Sequence, residues 1–537
     1  MKQNKKEAAL YDYVIVGAGA SGPIVANSLT LDGYSVLLLE AGLGVDPEDE
    51  DVWDAQRWFK VQEDPVIEWG YKSIPQTKLN NRVLNMMQSR CLGGCTVHNA
   101  MVYVRGGQTT YNHWEDVLLC KGWGYNSLKP LFEGIEKKIG IIKGQPDDFV
   151  NAVFKAAEDC GYPYNSDYNE NITEFGAVPF QFTIEEKAKK MRRTTSYEKY
   201  IQEHDDLKTL TVEPGAFVHQ ILFAEITIDG KPRATGVRYQ NSLGELKTVS
   251  VNKEVILSAG AIASPKILLQ SGVGPKVDLE NLGIPVIKDL PFVGKNFYDD
   301  LGIPSIFIQK KALPPQPYGF ITSGIFATDK ENFDPKNPGF AEVNMEIQVC
   351  SSDLPGAPDM QPKINYYSVG MAVLHLESRG SITLSSKDPR EAPVVDPNYL
   401  SAPGDLDRCK NALRIALKIS WDKAMDDWRL VPMLPLAFPM PGTKDGWIGI
   451  GGPLFGTFDQ FLEDYISKWS TTIQHYIGSC TMGTDPLTSV VDPDLKVHGI
   501  LGLRVIDASI APTPVTGNTA GVSYVIGAKG AELLKKG

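Results

Sequence analysis

The strongest constraint on the fold is a strand, a glycine-rich turn, a helix and a second strand at the start of the chain. Residues 11–16 are apolar, rich in β-branched side chains and run directly into Gly17. Residues 23–31 predict a helix, because a proline opens the segment and Gly33 follows its end. A second apolar run at residues 34–39 completes a βαβ unit of about 30 residues. The pattern predicts an α/β domain with a parallel sheet.

The turn of this unit carries a dinucleotide-binding fingerprint. Gly17, Gly19 and Gly22 form GxGxxG between strand and helix, where they allow a tight turn, close approach of pyrophosphate and packing of the helix on the sheet. The helix N-terminus then faces the phosphates. Glu40 ends the second strand, where its carboxylate can accept hydrogen bonds from ribose hydroxyls. These residues do not distinguish NAD from FAD, since both contain adenosine diphosphate.

Charge and composition exclude several classes of partner. The formal net charge of −12 predicts an anionic surface, so we expect neither nucleic acid nor a membrane surface as a partner. No export segment is expected, because the N-terminus leads straight into a strand. The seven cysteines are odd in number, scattered and without a CxxC pair, which argues against a disulfide framework or a zinc site. We therefore expect a cytoplasmic protein without a metal.

The middle of the chain is predicted to be β-rich. Residues 209–213, 220–228, 234–239 and 246–257 are short alternating runs, which we interpret as antiparallel strands. Between residues 301 and 469 the chain is rich in proline and aromatic side chains, as expected of a ligand-facing domain. The elements predicted after residue 300 are strands at 344–349 and 364–369, a helix at 406–419, a strand at 503–506 and a helix at 520–535.

The strand and helix predicted near the C-terminus resemble the α/β pattern at the start of the chain, which predicts that the first domain is discontinuous in sequence. We assign residues 1–155, 192–300 and 472–537 to a Rossmann-type dinucleotide-binding domain. Residues 156–191 and 301–471 are assigned to a substrate-binding domain. The 537 residues are consistent with two domains.

Four further segments of the sequence help to distinguish FAD from NAD as the cofactor. They are RCLGGCTVHNAMVYVRG at residues 90–106, SAGAIASPKILLQSGVG at 258–274, HYIGSCTMG at 475–483 and GLRVIDASIAPTPVTGNTAG at 502–521. The small residues of the second segment suggest close approach of a cofactor, with Ser264 and Pro265 opening a helix.

With the N-terminal fingerprint, these segments resemble the glucose–methanol–choline (GMC) oxidoreductase family from about residue 11 to residue 534. The resemblance implies an FAD domain of the glutathione-reductase type. It also implies an α+β substrate domain on a six-stranded antiparallel sheet, and oxidation of an alcohol at the flavin.

The resemblance also assigns residues to the cofactor. Those implied for FAD are Gly17, Gly19, Gly22 and Glu40 at the adenosine diphosphate part, Gly93, Gly94, Asn99 and Val102 along the flavin and ribityl chain, Val218 near the adenine, and Asp507 near the ribityl or pyrophosphate.

His475 corresponds to the catalytic histidine of the family, and Asn518 takes a neighbouring position that holds either His or Asn in its members. An alkoxide expels hydride far more readily than an alcohol does, so a base has to remove the hydroxyl proton. A histidine with an ordinary pKa near 6.5 suits that role. The amide of Asn518 can hydrogen-bond the substrate oxygen.

His98 departs from most of the family, which carries an aliphatic residue at this point of the glycine-rich motif. Here the chain resembles choline oxidases, in which this histidine is bonded covalently to the flavin 8α-methyl. The resemblance therefore implies FAD attached through His98. The alternative is that His98 only hydrogen-bonds near the flavin.

A second, weaker similarity to choline oxidases lies at His375, four residues before Arg379, which implies a place in the substrate site. A quaternary ammonium substrate would need an aromatic cage and a carboxylate. The residues that could supply these are Phe320, Phe326, Tyr366, Tyr367 and Glu346, although aromatics in such number are ordinary core residues.

The expected reaction is oxidation of a primary alcohol to an aldehyde, with further oxidation to the acid left open. Dioxygen is the expected acceptor, giving hydrogen peroxide; the alternatives are a dehydrogenase with another acceptor, a hydroxynitrile lyase on the same fold and a flavin-binding protein without catalysis. The substrate stays open, and a homodimer is the working expectation for the assembly.

Overall fold

The computed structural model describes residues 9–62, 64–170, 176–224, 230–314, 318, 321–328, 345–351, 366–434, 437–439, 447–449 and 457–536. The strands are β1 (Leu10–Val16), β2 (Val36–Glu40), β3 (Ile142–Lys143), β4 (Gly176–Pro179), β5 (Gln181–Phe182), β6 (Ile184–Lys187), β7 (Lys190–Arg193), β8 (Leu210–Pro214), β9 (Phe217–Ala224), β10 (Arg233–Gln240), β11 (Leu246–Leu257), β12 (Val273–Gly274), β13 (Lys288–Asp289), β14 (Leu301–Ile303), β15 (Ile306–Gln309), β16 (Ile321–Ala327), β17 (Met345–Ser351), β18 (Tyr366–Val373), β19 (Ser381–Thr383), β20 (Val394–Asp396), β21 (Arg429–Leu434), β22 (Ala437–Pro439), β23 (Trp447–Gly449), β24 (Thr471–Thr472) and β25 (Leu503–Val505). The helices are α1 (Gly22–Leu31), α2 (Glu50–Trp53), α3 (Trp58–Val61), α4 (Gln108–Asp116), α5 (Tyr125–Ile139), α6 (Asp148–Asp159), α7 (Gly260–Gln270), α8 (Lys276–Asn281), α9 (Asp405–Ser420), α10 (Phe458–Trp469) and α11 (Ala520–Lys536). Short 3₁₀ turns span Thr77–Leu79, Gly94–Thr96, Lys423–Met425 and Ala508–Ile510, and a π-helical turn spans Glu198–Gln202.

The first sheet has seven strands in the order β8-β2-β1-β11-β10-β9, with β25 also paired to β11. Strand β1 lies between β2 and β11 and runs parallel to both. Its residues Val14 and Ile15 are fully buried, as the apolar run predicts. Helix α1 returns from β1 to β2 and packs against α11. The predicted Rossmann-type βαβ unit is present.

The four middle strands do not all run antiparallel. Strands β9, β10 and β11 pair antiparallel in sequence order, as predicted. Strand β8 instead joins the edge of β2 in parallel, with Leu210 opposite Val36. Alternating polarity identifies the buried face of a strand but not its direction, so the prediction for residues 209–213 was wrong on direction. Residues 225–228 of the second predicted strand lie outside the described residues.

The second sheet is antiparallel throughout and has eight strands. Six follow the order β21-β15-β18-β17-β16-β4, and the short strands β14 and β24 extend it beside β18. The expected six-stranded sheet is therefore enlarged by two short strands. Residue 344 of the strand predicted at 344–349 and residues 364 and 365 of the strand predicted at 364–369 lie outside the described part of the chain.

Strands β1 and β25 both lie in the first sheet, so this sheet contains strands from both ends of the chain. Strand β4, far earlier in the chain than its partner β16, belongs to the second sheet. The predicted domain limits fall close to these changes of sheet and stay predictions. Within the described residues, no helix combines the length and the apolarity that crossing a bilayer requires.

Helix α7 begins four residues earlier than predicted. The sequence suggests Ser264 and Pro265 as its start, but the helix begins at Gly260 and contains Pro265 in its interior. Proline lacks the N–H that would bond the carbonyl of Ala261. That carbonyl accepts a hydrogen bond from Ser479 Oγ at 2.5 Å instead, so a tertiary contact replaces the missing helical bond.

Candidate active site

A long cavity opens where β1, β2 and β11 end, the edge of a parallel sheet at which ligands commonly bind. Its walls include Gly17, Gly19, Glu40, Gly94, Val218 and Asp507 among the residues predicted from the sequence. They also include Gln474, Tyr476 and Thr519, the chain neighbours of His475 and Asn518. The cavity wall therefore includes predicted dinucleotide residues and chain neighbours of the predicted catalytic pair, whereas His475 and Asn518 do not themselves line it.

The glycines of the fingerprint serve two purposes, open space at Gly19 and close backbone packing at Gly17 and Gly22. A Cβ atom at Gly19 would meet no atom within 4 Å, so the backbone there is open to a ligand. A Cβ at Gly94 would lie 2.6 Å from the Gly19 Cα, and one at Gly22 would lie 2.0 Å from the Gly17 carbonyl oxygen. The second glycine-rich segment is also tied to the first, because the Gly93 amide donates to the Ala18 carbonyl at 2.8 Å.

Glu40 is buried at the end of β2. Its carboxylate accepts from the amides of Ala18 and Gly42, each at 2.9 Å, which fixes its position beside the turn. Burial raises the pKa of Glu40 to about 7, although those amides act in the opposite direction. Each carboxylate oxygen has a further lone pair for a ribose hydroxyl.

Asp507 joins two segments predicted to approach the cofactor. Its carboxylate accepts from the amides of Gly260 and Ser509 at 2.9 and 2.8 Å and from Ser264 Oγ at 2.5 Å. Burial raises the pKa of Asp507, against these hydrogen bonds. It therefore anchors the start of α7 on the cavity wall.

Two buried polar atoms on the wall fit a polar ligand. Gln88 Oε1 and Ser89 Oγ have no hydrogen-bond partner among the described residues, and both residues line the cavity. Unpartnered buried polar atoms are costly unless a ligand or water satisfies them. With the open backbone at Gly19 and the carboxyl of Glu40, they fit the residues expected around an extended dinucleotide.

His475 and Asn518 meet, as the sequence predicts. The Asn518 side-chain nitrogen lies 3.2 Å from His475 Nε2. Asn518 Oδ1 is buried without a partner among the described residues. A substrate hydroxyl next to this pair could therefore contact both a ring nitrogen and an amide.

Two adjacent carboxylates that the sequence analysis did not select hold His475. Its backbone N–H donates to Asp299 at 2.7 Å, and its Nδ1 lies 2.9 Å from Asp300 Oδ2. The two segments meet because Tyr298 and Ile477 pair across an isolated antiparallel bridge. The sequence indicates this role only weakly, by two consecutive acidic residues next to a buried strand. No local motif links these residues to His475.

The pKa of His475 reflects opposed effects. Burial lowers it, but the carboxylates of Asp300, Glu346 and Asp299 outweigh burial, and the pKa is raised above its ordinary value. Burial also raises the pKa of Asp299 to about 6 and that of Glu346 to about 7. The site is therefore a histidine surrounded by carboxyl groups.

His98 is buried in the glycine-rich turn and does not line the cavity wall. Its Nδ1 lies 2.9 Å from Glu68 Oε1, an ion-pair distance without hydrogen-bond alignment. Burial lowers the pKa of His98, but Cys95 and Glu68 outweigh it and bring the pKa to about 9. Glu68 is a further residue that sequence reasoning missed, since it lies in an irregular loop without a motif.

The other predicted cofactor residues take different positions. Val218 is buried on the cavity wall in β9. Asn99 Oδ1 accepts from Arg193 at 2.7 Å and from the Met101 amide at 3.1 Å, so its carbonyl is engaged within the protein. Val102 is buried and bridges to Phe182. Neither Asn99 nor Val102 lines the cavity, and their roles toward a flavin stay predictions.

His375 is buried behind the Asn518 turn. Its Nε2 lies 3.1 Å from Thr516 Oγ1, and its backbone has a left-handed φ of 57°. Burial, with Arg379 and Arg408, lowers its pKa to about 3, so the ring is neutral. His375 supports the turn that carries Asn518, and contact with substrate stays a prediction.

The aromatic residues considered for a cation cage pack in the core. Phe326 contacts Tyr168 and Phe180, and Tyr367 stacks on Phe307. Tyr366 is also buried, whereas Phe320 lies outside the described residues. Glu346 Oε2 and the Tyr367 hydroxyl are buried without a hydrogen-bond partner among the described residues.

A dinucleotide-type cavity whose wall includes chain neighbours of a histidine and an asparagine is consistent with an oxidoreductase that binds a dinucleotide. Family models for the N- and C-terminal parts of GMC oxidoreductases match residues 11–301 and 377–527. The chain belongs to the GMC oxidoreductase family.

Relatives match over nearly the whole chain. It is 30% identical to an oxygen-dependent choline dehydrogenase of Pectobacterium carotovorum over 560 residues, covering 98% of this chain and 95% of that protein. An oxygen-dependent choline dehydrogenase of Rhizobium rhizogenes is 31% identical, with coverage of 97% and 95%. The crystal structure of pyridoxine 4-oxidase from Mesorbium loti has a TM-score of 0.84 at 25% identity, covering 98% of this chain and 99% of that chain. Formate oxidase of Aspergillus oryzae, at 21% identity and the same TM-score, shows the fold alone.

Proposed function

We propose that the protein binds FAD in the long cavity and oxidises a primary alcohol to an aldehyde, with dioxygen as the final electron acceptor and hydrogen peroxide as the second product. One observation carries the proposal: His475 Nε2 and the Asn518 amide meet at 3.2 Å, and their chain neighbours Gln474, Tyr476 and Thr519 line the cavity. A base and a hydrogen-bond donor or acceptor are thus placed for one hydroxyl group.

When bound, the flavin supplies the hydride acceptor. The residues of the chain orient the alcohol and manage its proton. Asn518 presents its amide to the substrate oxygen, while His475 Nε2 accepts the hydroxyl proton. Asp300, next to Nδ1, stabilises the imidazolium that results.

The names of relatives support the choice of acceptor. Two similar proteins are called oxygen-dependent, and the most similar of the structures described above is called an oxidase. We further propose that the protein acts in the cytoplasm, because the cysteines whose side chains the structure describes are all free thiols.

The test is anaerobic mixing of the purified yellow protein with a panel of primary alcohols, followed by air. We expect the flavin absorbance to bleach with at least one alcohol and to recover in air with formation of peroxide. Bleaching without recovery in air, but with recovery on adding a quinone, would identify a dehydrogenase instead. A flavin that no alcohol reduces, in a protein that cleaves cyanohydrins, would replace the proposal by a lyase.

A further inference from the structure

We infer that Asp300 is a positioning residue for His475, which holds the proton on Nδ1 and keeps Nε2 as the proton acceptor. The inference rests on the proposed function, because it assigns a partner to the proposed base. It adds a residue that the glycine-rich and histidine motifs do not include.

The geometry around the imidazole ring specifies one tautomer. Nδ1 lies 2.9 Å from Asp300 Oδ2, and a carboxylate can only accept there, so Nδ1 carries the proton. On the other side of the ring, the Asn518 side-chain nitrogen lies 3.2 Å from Nε2. The contact with Asp300 therefore favours a neutral ring with N–H at Nδ1 and a lone pair at Nε2.

Asp300 is itself held in place. Its side chain is 2% exposed, and its Oδ1 accepts a hydrogen bond from the Tyr298 hydroxyl. That hydroxyl accepts in turn from the Leu376 amide at 3.2 Å. Burial raises the pKa of Tyr298 well above its ordinary range, so the phenol stays a donor. The side chain of Asp300 therefore has little freedom to move away from the His475 imidazole.

Asp299 and Asp300 divide the support of His475 between them. Asp299 accepts from the backbone N–H of His475 at 2.7 Å and from Thr472 Oγ1 at 2.5 Å, so it fixes the main chain. Asp300 contacts the side-chain ring of His475 and not its backbone. The other titratable group with an electrostatic effect on the ring is Glu346. Removing the charge of Asp300 should therefore alter the ring and leave the backbone in place.

The consequence is a pH effect with a definite sign. A base works in its neutral form, so the rate rises with pH through the pKa of His475. The anionic Asp300 stabilises the imidazolium. It therefore shifts the acidic limb of the pH–rate profile, over which the rate rises, to higher pH. Losing that charge should move the limb to lower pH, while the plateau falls because a neutral amide holds the Nδ1 proton and stabilises the imidazolium less than a carboxylate does.

The experiment measures flavin reduction by an alcohol against pH in the parent holoenzyme and in Asp300→Asn and Asp300→Glu. We expect Asp300→Asn to lower the plateau by about ten- to a hundredfold and to move the acidic limb to lower pH. Asp300→Glu keeps the charge, so its limb should stay near that of the parent even where the plateau falls. Asp492→Asn, at a carboxylate that caps a remote turn through the Lys496 amide, is the matched control and should match the parent.

A second readout does not depend on turnover. The chain has seven histidines, so a ¹⁵N-histidine spectrum can be assigned at His475 by the signal lost in His475→Gln. Above the acidic limb, we expect Nδ1 protonated in the parent and Nε2 protonated, or a mixture, in Asp300→Asn.

An unchanged limb and an unchanged tautomer in a folded Asp300→Asn protein would overturn the inference. Failure of the parent to be reduced by any alcohol would instead overturn the proposed function. In that case the tautomer measurement still decides whether Asp300 positions the ring.

Discussion

At the residue scale, the structure places His475, the proposed proton acceptor, next to Asn518 and to the carboxyl groups of Asp299 and Asp300. Replacing the ring with a methyl group removes the acceptor but none of the residues on the dinucleotide part of the cavity. His475→Ala should therefore slow flavin reduction by roughly a hundred- to ten-thousandfold while FAD stays bound. Stopped-flow absorbance measures the rate, and the absorbance of the resting protein measures occupancy.

The control is His204→Ala, at a histidine that contacts Asp206 on the surface, and it should behave as the parent does. If His475→Ala reduces its flavin as fast as the parent, His475 is not the base.

His98 is the second residue with a direct test. Its imidazole is buried beside Glu68 in the turn that follows Gly94. A covalent link through this ring would keep the flavin on the chain after denaturation. We expect a fluorescent band on a denaturing gel and an intact mass larger by about one FAD.

His98→Ala should lose the fluorescent band, retain FAD only non-covalently and be reduced more slowly, because the flavin potential falls. Cys95→Ser, in the same turn, should keep the band. Release of all FAD into the supernatant from the denatured parent would show that His98 is only a neighbour of the flavin.

At the scale of elements, the turn between β1 and α1 makes its own prediction. The space beside Gly19 is open and faces the cavity, so a large side chain there would occupy the place of the pyrophosphate. Gly19→Leu should give a folded protein with little FAD, measured by the ratio of flavin to protein absorbance. Gly134→Leu, at an exposed glycine in α5 with open space around it, should retain FAD. Full occupancy in Gly19→Leu would place the pyrophosphate elsewhere.

Helix α7 offers a double-mutant cycle. Ser479→Ala leaves the Ala261 carbonyl without a donor, because Pro265 has none to offer. The expected cost is about 1 kcal/mol or more, seen as a lower melting temperature. In the Pro265→Ala background the helix can supply its own N–H, so Ser479→Ala should cost less. Equal costs in both backgrounds would mean that the Ser479 bond does not compensate for the proline.

At the scale of the whole molecule, the C-terminal helix closes on the N-terminal fingerprint. A Cβ at Gly527 in α11 would lie 2.9 Å from the Ser21 Cα, and Ser21 Oγ donates to the Ser523 carbonyl at 2.7 Å. Ser21 lines the cavity directly before α1. Gly527→Leu should push the helix away and distort the turn, so both the melting temperature and FAD content should fall.

The control for this variant is Lys536→Leu in the same helix, at a side chain that is 64% exposed. It should change neither quantity appreciably. A Gly527→Leu protein with parental FAD content would show that closure of the two ends is not needed for cofactor binding.

The local sequence pattern was sufficient to predict features formed by residues that are close together in the chain. The apolar run of β1, the fingerprint and Glu40 follow one another in sequence, so the βαβ unit and its site could be predicted. The histidine and asparagine of the catalytic pair were selected by motif, and the structure brings them together at 3.2 Å.

Only the tertiary structure decided what depends on segments far apart in the chain. The parallel pairing of β8, the bond from Ser479 to Ala261 and the contact of Asp300 with His475 join residues separated by about 170 positions or more. Periodicity reports which face of an element is buried, but it carries no information about which distant segment will cover that face. Asp300 has no local motif, and its relation to the ring exists only once Tyr298 has paired with Ile477.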